Sequence, residues 1–209
     1  MYNVLVVDDQ KIPRQYFEMM TASSGEFKLV QALDSAMVAD IYCSKYQVDL
    51  VVMDIVMSDG SNGLDAAARI KKNYPDIKVI IVTSMIESAY LEKARNIGAD
   101  SFWYKESSED ELLSVMRRTM AGERVWPDEA PEVALGMASS RDLSPAELSV
   151  LREMTTGATN KLIAERLRIE PSTVKTHISN MLQKTGFDNR TELAIEARLK
   201  GLVVSEGSK

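Results

Sequence analysis

The feature of this sequence that most constrains its fold is a regular alternation of short apolar runs and longer amphipathic stretches over the first 121 residues. Strands are predicted at Asn3–Val7, Phe27–Leu33, Asp49–Met53, Lys78–Thr83 and Ser101–Tyr104. Helices are predicted at Pro13–Ala22, Ser35–Tyr46, Gly63–Tyr74, Ser88–Ile97 and Ser108–Ala121. Three of the strands are almost continuously apolar, which is typical of parallel strands covered on both faces. The alternation predicts an α/β fold with a doubly wound, five-stranded parallel sheet.

The pattern changes after residue 121. Residues 122–142 contain prolines, glycines, serines and excess acid, which predicts a linker with one short helix at Pro131–Met137. From residue 143 onward there is no predicted strand but four helical patterns, of which the second is Asn160–Leu167, the third Pro171–Thr185 and the fourth Arg190–Lys200. The first opens with a capping box in which Ser144 is followed three residues later by Glu147. We therefore expect an α/β domain over residues 1–121, a linker over 122–142 and a small all-α domain over 143–209.

Composition excludes several classes of protein. The chain has 209 residues and a net charge of −6, with a single cysteine, Cys43, and a single histidine, His177. An internal disulfide and a Cys/His zinc site are therefore excluded. The apolar runs are far shorter than the ~20 residues that cross a bilayer, and the N-terminus lacks the pattern of a signal peptide. No membrane insertion is expected, and the localisation predicted is cytoplasmic.

The charge is unevenly distributed along the chain. Residues 1–121 have 13 basic and 18 acidic residues, residues 122–142 have 2 and 5, and residues 143–209 have 10 and 8. The acidic total hides a mildly basic C-terminal part. A surplus of two positive charges is weak evidence for nucleic-acid binding by itself, because Lys and Arg usually form the solvated face of helices.

Polar residues stand at the ends of four predicted strands. Asp8 and Asp9 follow the first strand, while Asp54, Thr83 and Lys105 stand at the ends of the third, fourth and fifth. The carboxyl ends of parallel strands meet at one edge of the sheet. Three carboxylates repel one another there unless a cation joins them, and oxygen ligands of this kind suit Mg²⁺. With a lysine opposite, the set suits transfer of a phosphoryl group to a carboxylate.

On these residues the segment from Val4 to Ala121 resembles the receiver domain of two-component response regulators, which has a flavodoxin-like fold. The resemblance implies that Asp54 accepts the phosphoryl group. It also implies that Mg²⁺ is bound by Asp9, Asp54 and the backbone carbonyl of Val56, with Asp8 assisting through water. Thr83 and Lys105 would contact the phosphoryl group, and Phe102 would be the aromatic residue that swings inward as Thr83 moves toward the phosphate.

The chain departs from the receiver pattern in two places. After Asp54 the usual proline is replaced by Ser58, and the nearest matching glycine, Gly63, is nine rather than eight residues on. The loop after Asp54 is thus one residue longer and lacks a stiffening proline. Many receivers also have a proline where Glu106 follows Lys105. These differences concern the rate of phosphorylation and the coupling of the signal more than the fold.

The third C-terminal helix has one apolar and one polar face. Val174, Ile178, Met181 and Leu182 are spaced to pack inward, while Lys175, Thr176, Ser179 and Gln183 point outward. With the short turn that precedes it, this helix predicts a helix-turn-helix. An outward face of hydrogen-bonding side chains and a cation can reach base edges in the major groove of double-stranded DNA.

The segment from Leu143 to Ala197 resembles the LuxR-type helix-turn-helix. The pattern stands at Leu143-Ser144-Pro145, Glu147, Val150-Leu151, Gly157, Asn160-Lys161, Ile163-Ala164, Thr173-Val174-Lys175-Thr176-His177 and Arg190-Thr191-Glu192. The resemblance implies that Lys175, Thr176 and Ser179 approach bases. It places Thr159, Asn160, Lys161, Thr173 and Lys184 near backbone phosphates, and it gives the last helix a dimer contact. Two positions depart from the pattern, Leu162 and the poor helix cap Glu170.

Together the two halves resemble response regulators of the NarL/FixJ class, transcription factors that a sensor histidine kinase phosphorylates and that act on DNA as homodimers. Such a receiver accepts a phosphoryl group and is not a turnover enzyme. Three alternatives stay open. An aspartyl-phosphate phosphatase would need a second acid at the position of Val56. A regulator that works without phosphorylation would fit the altered loop after Asp54. The helical part could also be a protein-binding or dimerisation module.

Overall fold

The chain forms two compact units. The computed structural model describes residues 1–86, 88–105 and 111–202. The first unit contains Met1–Ser84 and Ser88–Glu129, and the second contains the described residues 85–86 and 130–202. Among the described residues, no helix is both long enough and apolar enough to cross a membrane.

The first unit is built on a parallel sheet of five strands. The strands are β1 (Tyr2–Val7), β2 (Phe27–Leu33), β3 (Leu50–Met53), β4 (Lys78–Thr83) and β5 (Ser101–Tyr104), in the spatial order β2-β1-β3-β4-β5. The central strands β1, β3 and β4 are nearly free of polar residues because both of their faces are buried. The predicted doubly wound sheet is confirmed, and three of the five strands have the predicted bounds.

Five helices of the described residues flank the sheet: α1 (Lys11–Ser24), α2 (Ala39–Tyr46), α3 (Gly63–Asn73), α4 (Ser88–Asn96) and α5 (Leu112–Met120). The largest error in the predicted bounds is at α2, which begins four residues after Ser35. The Ser35 hydroxyl accepts a hydrogen bond from the backbone N–H of Met37, which makes a local turn before the helix starts. The predicted start of α5 at Ser108 lies outside the described residues.

The short helix predicted at Pro131–Met137 is wrong. This stretch contains instead a hairpin of two antiparallel strands, β6 (Ala134–Leu135) and β7 (Ala138–Ser139), followed by a 3₁₀ turn at Ser140–Asp142. Gly136 lies in the hairpin turn with φ of +61°. That left-handed conformation breaks a helix and is easily adopted by glycine. The hairpin is held by burial of Leu135, which has no exposed surface.

Residues 122–142, predicted as a linker, are packed over part of their length. Val125 belongs to the hydrophobic core of the first unit, and Val133 and Leu135 belong to that of the second. The division of the chain at residues 121 and 143 stays a prediction.

As far as residue 202, the second unit is a bundle of four helices, α6 (Pro145–Met154), α7 (Asn160–Leu167), α8 (Pro171–Thr185) and α9 (Arg190–Leu199). The bounds of α7 and α8 are those predicted. Ser144 and Glu147 form the predicted capping box at α6, and Asn189 caps α9. Glu170 makes no side-chain cap at α8, where Pro171 occupies the first turn. Fully buried side chains from all four helices form the core, including Val150, Ile163, Val174 and Leu193.

Candidate functional site

Four strand ends meet at one edge of the first unit's sheet. The register pairs Val7 with Met53, Met53 with Ile81, and Thr83 with Tyr104, so the residues that follow these strands converge. The group comprises Asp8, Asp9, Asp54, Thr83 and Lys105, which we call the carboxylate pocket. The structure therefore brings together five side chains that are up to 97 residues apart in the sequence.

Lys105 joins two acids in this pocket. Its Nζ lies 2.7 Å from Oδ2 of Asp8 and 2.8 Å from Oδ2 of Asp54. Only 10% of the Lys105 side chain is exposed, so both ion pairs are largely protected from solvent screening. Burial by itself would lower the pKa of Lys105, but the two carboxylates raise it. Lys105 is thus held as a cation beside the Asp54 carboxylate.

Asp54, like Asp8, is a buried acid of the pocket. Only 6% of the residue is exposed, and its Oδ1 accepts a hydrogen bond of 2.7 Å from the backbone N–H of Ile55. Burial raises the pKa of Asp54 to about 6, against the lowering effect of Lys105 and with a further increase from Asp8. At neutral pH Asp54 is therefore an ionised carboxylate, poorly hydrated and able to act as a nucleophile.

The three carboxylates can hold a cation together. Asp8, Asp9 and Asp54 each offer an oxygen, and these oxygens lie within 4.8 Å of one another. Asp9 Oδ2 accepts a hydrogen bond from the backbone N–H of Ser58. Within the described part of the chain, Asp9 Oδ1 is buried and has no hydrogen-bond partner. A buried carboxylate oxygen without a donor is costly, and a cation would satisfy it. The donor set therefore fits a hard metal ion.

The loop between Asp54 and α3 is held by hydrogen bonds in place of the absent proline. Asp59 Oδ1 accepts from the backbone N–H and the hydroxyl of Ser61, at 2.8 and 2.7 Å. The Ser61 oxygen in turn accepts from the backbone N–H of Ala36 in the loop after β2. Val56 and Asn62 form a backbone bridge across the base of the loop. The longer loop is thus tied both to itself and to a neighbouring loop.

Phe102 lies inside the first unit, with 2% of its surface exposed. Its ring packs edge-on against Tyr104, with centroids 4.9 Å apart, and is stacked on Trp126, with centroids 6.0 Å apart. The sequence interpretation missed Trp126. The signal that could have found it is a large aromatic residue isolated in a stretch of prolines and charges, where an unburied indole is uncommon.

The second candidate site is the outward face of α8. Lys175, Thr176 and Ser179 are exposed on this helix, and so is Thr173 in its first turn. The hydroxyl of Thr176 donates a hydrogen bond to the backbone carbonyl of Ser172. The inward-facing Val174, Ile178 and Met181 are buried, as the helical period predicts. The structure thus presents the predicted base-contacting residues together on one free face.

Residues near the start of α7 have structural partners as well. Thr159 caps this helix by accepting from the backbone N–H of Leu162. Asn160 Oδ1 accepts a hydrogen bond of 2.6 Å from Arg190, whose other Nη donates to the carbonyl of Ala158. Lys161 is exposed. This arrangement orients the amide of Asn160 toward α9 and adds Arg190 as a cation next to the predicted phosphate contacts.

Lys184 has partners within the protein. Its Nζ lies 2.8 Å from Oε2 of Glu147 and 2.9 Å from the carbonyl oxygen of Asp142. Glu147 is buried and also accepts from the backbone N–H of Ser144. Burial alone would raise the pKa of Glu147, but Lys184 and Ser144 lower it. Lys184 therefore ties the end of α8 to the start of α6, a role that the sequence did not indicate.

Comparison with known proteins identifies the families that the two parts of the chain match. Residues 4–117 match the model described as "Response regulator receiver domain", and residues 141–197 match "Bacterial regulatory proteins, luxR family". The chain is 31% identical over 208 residues to the response regulator protein VraR of Staphylococcus aureus strain Mu3, and the match covers 96% of this chain and 98% of VraR.

Two solved structures are also similar. A LuxR-family DNA-binding response regulator from Staphylococcus aureus is 30% identical, with a TM-score of 0.53 over 57% of this chain and 99% of that chain. RcsB from Salmonella enterica serovar Typhimurium, solved bound to a promoter, has a TM-score of 0.58 over 94% of this chain and 98% of its own. It is 19% identical, so this likeness concerns the fold.

The two family matches cover both units, and the similarity to VraR runs through nearly the whole chain. In this family a sensor kinase phosphorylates the receiver, and the LuxR-type domain binds DNA. The chain belongs to the two-component response regulators of the NarL/FixJ class and is a DNA-binding transcriptional regulator.

Proposed function

We propose that Asp54 is the phosphoacceptor of this regulator. The observation that carries the proposal is the ionised, buried Asp54 carboxylate with Lys105 Nζ 2.8 Å from its Oδ2. An Asp54 oxygen forms a bond to phosphorus while the bond between phosphorus and the kinase's histidine nitrogen breaks. Lys105 neutralises charge on the incoming group, and Thr83, which is fully buried at the end of β4, binds a phosphoryl oxygen.

We assign Mg²⁺ to the acidic cluster. Its ligands would be Asp9, Asp54 and the carbonyl of Val56, with Asp8 assisting through water. The unsatisfied Asp9 Oδ1 supports this assignment. When bound, Mg²⁺ neutralises charge on the transferring phosphoryl group. Asp9 is oriented for this purpose by its hydrogen bond from the backbone of Ser58.

The response to phosphorylation runs through Thr83 and Phe102. As Thr83 is drawn toward the phosphoryl group, Phe102 shifts, and the population moves toward a form that dimerises. The last helix supports a dimer contact because Ile195 and Leu199, four residues apart on α9, are 53% and 76% exposed. A dimer of this kind binds two half-sites about 10 base pairs apart.

For the DNA interface we propose that Lys175, Thr176 and Ser179 read bases, and that Thr159, Asn160, Lys161, Thr173 and Lys184 lie near phosphates. Exposure of the first three residues on one face of α8 supports the base contacts. The partners of Lys184 make it the weakest of the phosphate contacts. The protein acts as a regulator rather than a turnover enzyme, and we place it in the cytoplasm, where bacterial DNA lies.

The proposal is tested by intact mass after incubation with Mg²⁺ and acetyl phosphate. Wild type is expected to gain one phosphoryl group, and Asp54→Ala none. Asp65→Ala, which removes an exposed acid on α3, is the matched control and should behave as wild type. The same samples are then titrated with DNA. No adduct on wild type, with DNA binding intact, would favour the phosphorylation-independent regulator instead.

A further inference from the structure

The segment after α5 returns along the free edge of the sheet. β5 is an edge strand, with β4 on its other side. The backbone N–H of Phe102 donates to the carbonyl of Val125 at 2.9 Å, and the N–H of Val125 donates to the Ser101 hydroxyl at 3.0 Å. Residues 125–127, which we call the edge segment, thus bond to the strand that carries Phe102. They satisfy polar groups that an uncovered edge would leave open.

Trp126 anchors the edge segment. Its indole N–H donates a hydrogen bond of 3.1 Å to the carbonyl of Asp100, at the start of β5. One face of the indole stacks on Phe102 at an interplanar angle of 30°. The guanidinium of Arg95, on α4, lies 5.3 Å from the Trp126 ring centroid, and its Nη2 donates to the carbonyl of Pro127. Trp126 therefore contacts Phe102, the start of β5 through Asp100, and α4 through Arg95.

This geometry limits how Phe102 can move. The ring is almost completely buried, so it cannot rotate without disturbing a neighbour. Movement toward or away from the carboxylate pocket either breaks the stack on Trp126 or takes the indole along. The backbone bond between Phe102 and Val125 adds a second link. The chain continues from the edge segment directly into the helical unit at Ala130.

We propose that Trp126 is a positioning residue for Phe102, and that the edge segment transmits the state of Phe102 to the chain that leads into the DNA-binding unit. This inference rests on the proposed phosphorylation of Asp54. Phosphorylation changes the surroundings of the Trp126 indole, because movement of Phe102 either takes the indole along or breaks the stack. Weakening the stack reduces the effect of phosphorylation on DNA affinity while the chemistry at Asp54 continues.

The first test uses fluorescence. The chain has two tryptophans, so Trp103→Phe leaves Trp126 as the single tryptophan, whose emission is excited selectively over that of the tyrosines. The full-length variant is treated with Mg²⁺ and acetyl phosphate, and emission, acrylamide quenching and intact mass are measured on the same sample. We expect a change in emission or quenching that follows the adduct and is absent when Asp54→Ala is added. An adduct with unchanged Trp126 emission and quenching would overturn the inference.

The second test compares three substitutions by the ratio of DNA affinities with and without phosphorylation. Trp126→Leu removes the stack and the indole donor, Arg95→Gln removes the covering cation from an exposed position, and Trp126→Phe keeps an aromatic ring. We expect Trp126→Leu to reduce the ratio by roughly 2- to 10-fold, the range set by the energy of one aromatic pair. Arg95→Gln should reduce the ratio less, and Trp126→Phe should retain most of the wild-type ratio.

Three experimental results are distinguishable. A reduced ratio with an unchanged rate of adduct formation supports a positioning role, which a merely structural role would not produce. A ratio equal to that of wild type in both Trp126→Leu and Arg95→Gln contradicts it, and Arg95→Gln keeps this conclusion valid should Trp126→Leu unfold. Absence of an adduct on wild type overturns the proposed function and this transmission with it, and the mass measurement identifies that case.

Discussion

Gly63 is needed by the carboxylate pocket because its backbone lies directly against Asp54. The N–H of Gly63 donates to the carbonyl of Ile55 at 2.8 Å. A Cβ at Gly63 would overlap the carbonyl oxygen of Asp54 and lie 2.8 Å from its carbonyl carbon. Gly63 does not have a positive φ, so the requirement is for space and not for a left-handed backbone. We therefore predict that Gly63→Ala displaces Asp54, the proposed phosphoacceptor.

The size of the effect of Gly63→Ala follows from the distance between the added Cβ and the Asp54 carbonyl. To restore even the shortest ordinary contact of 3.4 Å, the two backbones must separate by at least 0.6 Å, and the overlap with the oxygen requires more. Such overpacking costs about 1–3 kcal/mol of unfolding free energy. A misplacement of about 1 Å can slow a reaction by roughly 100-fold, so we expect the phosphorylation rate to fall by at least about 10-fold.

The assay is the rate of phosphoryl-adduct formation by intact mass, with stability measured by urea unfolding. Gly157→Ala is the matched control, because Gly157 has φ of +79° and open space around it in the second unit. It should lower stability by about 1 kcal/mol through backbone strain and leave the phosphorylation rate unchanged. A Gly63→Ala variant that is phosphorylated at the wild-type rate would refute the reasoning about close backbone approach.

Four further predictions concern the titration of Asp54 and two lysines of the second unit. Because the pKa of Asp54 is about 6 in the folded protein, Mg²⁺ affinity measured by calorimetry should weaken as pH falls below 6. The unfolding free energy of the metal-free protein should fall as pH rises from about 4 to 6, because in this range only the unfolded chain has released this proton. An unfolding free energy, measured with urea, that stays constant over this range would contradict the raised pKa of Asp54. Lys175→Ala should cost about 1–3 kcal/mol of specific DNA binding if Lys175 reads a base, and unchanged binding would exclude the groove assignment. Lys184→Met should lower the unfolding free energy by about 1 kcal/mol, because it leaves the buried Glu147 carboxylate unpaired. As the weakest phosphate contact, Lys184 should change the slope of the salt dependence of DNA binding by less than about one when it is removed, and an unchanged slope would exclude it as a phosphate contact.

The sequence by itself determined most of the secondary structure and which polar side chains stand at the strand ends. Apolar runs and helical periods are local patterns, and the parallel topology that they predict brings Asp8, Asp54 and Lys105 to one edge. The inward and outward faces of α8 follow from the helical period in the same way. The boundaries failed where side chains override the period, as at Ser35, where a hydroxyl forms a turn before α2.

Only the tertiary structure decided which distant residues touch. Gly63 approaches Asp54 because the loop folds back, and Trp126 reaches Phe102 because the chain returns along β5. The contact between Lys184 and Glu147 joins residues 37 apart in the sequence. Gly136 forms a hairpin rather than a helix because Leu135 finds a buried place in the core of the second unit. Local patterns report the preferences of a segment, whereas these contacts depend on where the rest of the chain packs.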